Sequence, residues 1–122
     1  MSADATLVIV DGANVVGSVP DGWWRDRAGA AERLRDALAG LAFEGAPAEV
    51  VLVVEGRAAG IAPIAGVRVE PAPGSGDDTI VDLVRREGTD RDCVVVTADR
   101  GLRDRVTALG ARVAGPGTVP RR

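Results

Sequence analysis

Four short apolar runs, Thr6–Val10, Val50–Val54, Val67–Val69 and Cys93–Val96, are rich in valine and nearly unbroken by polar residues. A strand with one face in water alternates apolar and polar side chains. An unbroken run must be buried on both faces, which is the pattern of a parallel sheet with helices above and below it. A fifth, shorter run, Arg112–Ala114, completes the set.

Between these runs the period lengthens to that of a helix. Leu34, Leu38 and Leu41 recur among charged residues, which predicts an amphipathic helix from Ala28 to Phe43. Ile80, Leu83 and Val84 form a second stripe over Asp78–Arg86, and Leu102, Val106 and Leu109 a third over Gly101–Leu109, with Gly88 and Gly110 at the helix ends. The expected fold class is therefore α/β: three layers, with a central and mainly parallel sheet of four to five strands flanked by helices. With 122 residues, 46% of them hydrophobic, residues 1–122 are expected to form a single domain.

Composition excludes whole classes of chemistry. The chain has no histidine, so imidazole-based nucleophile activation and histidine metal ligands are absent. One cysteine, Cys93, allows neither a disulfide framework nor a thiolate metal cage, and it points to a reducing, cytoplasmic setting. The first ten residues lack a basic signal-peptide start, and no apolar run is long enough to span a membrane. A net charge of -3 argues against binding nucleic acid through bulk positive charge, although a local arginine patch remains compatible with it.

In a parallel sheet, ligands bind outside the carboxyl ends of the strands. On that edge the sequence puts Asp11 after the first strand, in "LVIVDGAN", Glu55 after the second, in "VLVVEGR", and Thr97 to Asp99 after the fourth, in "VVVTADRGL". The segment "GSGDDTIVDLV" opens a helix with Asp77 and Asp78, and Asp82 follows one turn below Asp78. Like charges this close must protonate or share a cation, and carboxylates without histidine suit Mg²⁺ or Mn²⁺ and two-metal phosphoryl transfer. Each acid also has an ordinary structural duty open to it: Asp77, Asp78 and Asp99 as helix caps or first-turn acids, Glu55 as a strand end, Asp82 as a solvated residue. Asn14 lies within reach of the Asp11 carboxylate or of a phosphate. Ser75, between Gly74 and Gly76, sits where a backbone comes close to a ligand. Arg57, Arg100 and Arg103 follow the acidic strand ends and are the expected phosphate contacts, ahead of Arg25 and Arg27. Trp23 and Trp24 read first as packing residues and second as stacking platforms for bases.

The ordered set "VDGANVV", Glu55-Gly56, "SGDDTIVD" and "VVVTADRGL" resembles the NYN domains of the PIN-like nuclease superfamily, particularly their YacP-like branch. The resemblance implies a PIN-like, Rossmann-like fold and metal-dependent ribonuclease activity. By motif it makes Asp11, Asp77 or Asp78, and Asp99 the ligands and catalytic acids, with Asn14 the amide of the branch. Glu55 stands where the related motif carries aspartate. The resulting expectation is a Mg²⁺- or Mn²⁺-dependent ribonuclease that cuts single-stranded RNA by in-line attack of an activated water, with homodimerisation left open. A nucleotide pyrophosphohydrolase and a catalytically weak RNA-binding module on the same fold are the alternatives. A haloacid-dehalogenase-type phosphatase is disfavoured, because position 13 is alanine and lysine is absent.

Overall fold

The computed structural model describes residues 5–120. Its strands are β1 (Thr6–Asp11), β2 (Ala42–Phe43), β3 (Ala46–Val54), β4 (Val67–Pro71), β5 (Cys93–Val96) and β6 (Arg112–Ala114). The helices are α1 (Gly12–Gly17), α2 (Arg27–Leu38), α3 (Gly76–Glu87) and α4 (Arg100–Thr107). β1 pairs in parallel with β3 and β5, β3 with β4, and β5 with β6. The main sheet therefore runs β4-β3-β1-β5-β6, with β2 added antiparallel along the start of β3. Without β2, the five parallel strands have the order 3-2-1-4-5 in the chain, the Rossmann-like arrangement, whose switch point lies between β1 and β5.

Alternate residues of each strand feed opposite layers. Leu7 and Ile9 of β1, Val51 and Val53 of β3, and Val95 of β5 pack with Ile80, Leu83 and Val84 of α3 and Leu102 and Val106 of α4. Val8 and Val10, Val50 and Leu52, and Val96 pack on the other face with Val15 of α1 and Ala31, Leu34 and Leu38 of α2. Full burial of such side chains is worth about 1.5–3 kcal/mol each. It explains why both residue parities of β1 had to be apolar, and this is the expected three-layer α/β fold.

Two local readings are corrected. The helix expected to run to Phe43 ends at Leu38, because the chain turns at Gly40 with a positive φ of 74° and reverses into a hairpin. Glu44 and Gly45 form its two-residue turn, both at positive φ, which is the turn geometry that matches strand twist. The chain also enters α1 directly from β1, where the sequence signalled only a loop. No helix among the described residues is long and apolar enough to cross a membrane.

Candidate active site

α1 starts against the end of the neighbouring strand, and this is why glycine follows Asp11. A Cβ on Gly12 would stand 2.5 Å from the Val53 carbonyl oxygen, a contact that backbone cannot relieve by rotating a side chain. The tight turn leaves Asp11 buried, only 5% exposed, at the switch point. Its Oδ1 accepts from the Asn14 N–H at 3.4 Å, which caps α1, and its Oδ2 accepts from the Thr97 hydroxyl at 2.9 Å. Thr97, fully buried at the end of β5, also accepts from the Asp99 N–H at 3.1 Å. Asn14 Oδ1 in turn accepts from the Ala98 N–H at 2.8 Å. The loops after β1 and β5 are thereby stitched together through Asp11, Asn14 and Thr97.

Glu55 and Asp99 hold two further helix starts. The Glu55 Oε2 accepts from the Gly76 N–H at 2.6 Å, at the first residue of α3, and a Cβ on Gly76 would collide with that same oxygen at 2.6 Å. The longer side chain of glutamate thus spans from β3 to α3. Asp99 caps α4 by accepting from the Leu102 N–H at 2.9 Å, and Ser75 caps α3 by accepting from the Asp77 N–H at 3.1 Å. Asp77 differs from all of these. Its half-buried carboxylate accepts no hydrogen bond and makes no ion pair among the described residues.

Electrostatics mark these acids as one group. Burial pushes the Asp11 carboxyl above the usual range. The Thr97 hydroxyl and the Asn14 N–H offset part of that rise, and the nearby charges of Asp77 and Glu55 add to it. Asp77 is raised too, first by burial and then by Asp99 and Glu55, with Arg105 pulling the other way. The charges of Glu55 and Asp77 thus act on Asp11, and those of Glu55 and Asp99 on Asp77, at the carboxyl edge of the sheet.

Two of the expected acids lie elsewhere. Asp78, with its side chain 80% exposed, is held by Arg105 at 3.0 Å on the α4 side. Asp82 faces solvent and pairs with Arg86 one turn on, at 2.7 Å. The helix period accounts for this: neighbouring residues point about 100° apart, so only one of Asp77 and Asp78 can face the rim. Among the arginines, Arg103 is not free to meet a phosphate through its Nε, which donates to the Thr97 carbonyl at 2.8 Å. Arg57 and Arg100 are exposed and make no ion pair among the described residues.

The donor chemistry suits a hard divalent cation: every available ligand is an oxygen, and Asp77 makes no ion pair among the described residues. Among the described residues, no three acids are grouped so as to hold one ion.

The fold and rim define an α/β chain of Rossmann-like topology whose acids gather at the switch point of a 3-2-1-4-5 sheet. Among solved structures it is similar to Rae1 (YacP) from Bacillus subtilis, with a TM-score of 0.59 and 16% identity over 91% of this chain and 69% of that one. At that identity the likeness is one of fold, and it relates the chain structurally to YacP. No family model and no curated protein sequence matches the chain.

Proposed function

We propose that the chain is a metal-dependent ribonuclease, with the four-carboxylate rim as its reaction centre. The observation that carries this reading is the Asp77 carboxylate: half-buried, without a hydrogen-bond or ion-pair partner among the described residues, and beside Asp99 and Glu55, whose charges add to burial in raising its proton affinity. A cation held there would relieve the repulsion between Asp77 and its acidic neighbours. Asp11 and Asp77 would hold Mg²⁺ or Mn²⁺, with Asp99 and Glu55 beside them. The bound ion would neutralise the scissile phosphate and supply a nucleophilic water. Thr97 and the Asn14 backbone fix the Asp11 oxygens, Asn14 Oδ1 fixes the loop that carries Asp99, and Arg100 stands free to meet a non-bridging phosphate oxygen.

A second reading has its own support. Asp11, Glu55 and Asp99 each cap a helix, so all three would be kept for folding in an RNA-binding module without catalysis. Asp77 separates the two, since its side chain caps no helix and its place in the first turn of α3 needs only a polar residue. Purified protein is incubated with a labelled single-stranded RNA in millimolar Mn²⁺, alongside Asp11→Asn and Asp77→Asn. Cleavage by the parent and its loss by at least 100-fold in both variants is expected. Parental cleavage by either variant, or none by the parent, would overturn the ribonuclease reading.

A further inference from the structure

Beside the acidic rim lies a hollow of about 150 Å³ between α1, α2 and the turn after β3. Much of its lining is apolar, from Val16, Ala31, Val54 and Ala58, one side is the indole of half-buried Trp23, and Arg27 and Glu55 complete it. Two of its residues bind it to the rim: Gly12 adjoins Asp11, and Glu55 is itself one of the four acids.

Arg27 lies between this hollow and a second, open groove whose walls include Trp24, Arg25 and Arg57. The guanidinium of Arg27 stands 5.3 Å from the centre of the Trp23 ring, and that of Arg25 stands 5.8 Å from the ring centre of Trp24, a residue 51% exposed. Elsewhere Arg35, Arg68, Arg86, Arg91, Arg105 and Arg112 are neutralised by carboxylates. Arg25, Arg27 and Arg57 make no ion pair among the described residues. In a chain of net charge -3, a cluster of free guanidiniums around two indoles is a local site for an anion that carries rings.

We propose that the hollow seats a pyrimidine base of a single-stranded RNA against Trp23, while Arg25, Arg27 and Arg57 carry the adjoining phosphates. The pocket thereby selects the nucleotide next to the cleaved bond, an inference that rests on the ribonuclease reading. Size decides the class of base. An apolar cavity of about 150 Å³ accepts one benzene-sized ring, whereas a purine brings two fused rings. The strand must be single, because a base can enter such a hollow only when splayed from its stack. The apolar walls provide the burial, the indole provides the stacking face, and the arginines counter the repulsion between phosphates and the rim.

The chain has two tryptophans and no tyrosine, so in Trp24→Phe the emission comes from Trp23 alone. Hexauridylate, hexacytidylate and hexaadenylate are titrated against this variant in EDTA, with fluorescence quenching read at Trp23. Anisotropy of the same oligonucleotides, fluorescein-labelled, reports total binding. Both pyrimidine hexamers are expected to quench with a Kd about tenfold below that of hexaadenylate. Ala58→Leu, which fills the hollow, should erase that difference; should it fail to fold, Ala13→Leu at the mouth serves the same end. Arg57→Ala should weaken all three alike and reduce the salt slope by about one. Equal quenching by hexaadenylate, or anisotropy without any Trp23 response, would overturn the pocket and leave the RNA reading intact. No binding of any hexamer by either readout would sink both.

Discussion

Thr97→Val tests how the rim is held together, since it removes a hydroxyl and keeps the shape. That hydroxyl is fully buried, donates to Asp11 Oδ2 at 2.9 Å and accepts from the Asp99 N–H at 3.1 Å. A hydrogen bond to a charged group contributes roughly 1.5–3 kcal/mol, and a partly buried N–H left without an acceptor costs about 1 kcal/mol more. The variant should lose about 3 kcal/mol, which for a chain of this length lowers Tm by roughly 10 °C. Urea denaturation followed by circular dichroism at pH 7 measures it, with Thr97→Ser, which keeps the hydroxyl, as the control. The loss should shrink toward pH 4, because the hydroxyl favours the ionised form of Asp11 and does less for a protonated carboxyl. A Thr97→Val protein within about 0.5 kcal/mol of its parent at pH 7, or a loss that does not change with pH, would refute the reasoning.

Three other outcomes follow from the same geometry. The folded-state pKa of Asp11 lies above its unfolded value of 3.8, so the folded chain binds more protons between the two values and this contribution to stability falls as pH rises through them. Without metal, Asp11→Asn should therefore gain stability relative to the parent between pH 4 and pH 7, as read by urea midpoints at each pH. Asp78→Asn and Asp82→Asn, whose carboxylates are committed to Arg105 and Arg86, should keep RNA cleavage within about threefold of the parent, a range that surface ion pairs of this kind allow. Gly12→Ala should cost about 2–3 kcal/mol through its clash with the Val53 carbonyl, whereas Gly101→Ala, at an exposed position of α4, should gain roughly 0.5 kcal/mol; thermal melts of the two variants are expected to shift in opposite directions.

The strands were legible because burial on both faces leaves a mark in every residue of the run, as in Leu7 to Val10. Helix α1 was not, because six residues with glycine at each end carry too few apolar positions to show a period. The hairpin at Phe43–Ala46 was missed for a similar reason: β2 has only two residues, and the Glu44-Gly45 turn was the sole cue. The acids at strand ends could be placed on the right edge by topology alone. Which of two adjacent aspartates faces inward depends on how α3 rolls against the sheet, and packing of Ile80 and Leu83 sets that roll. The base-sized hollow was invisible to sequence, since its walls come from α1, α2 and the turn after β3.

Aspartate, asparagine, serine and threonine serve almost equally well at the start of a helix. The positions of Asp11 and Asp99 can therefore lose their charge by one substitution and still cap α1 and α4. On the ribonuclease reading, a lineage of such chains can lose catalysis without becoming less stable, and selection for folding alone will not remove the silent copies. Among relatives built on this scaffold, the fold is a poor witness to activity. The residue at the position of Asp77, which no cap requires, is the better one.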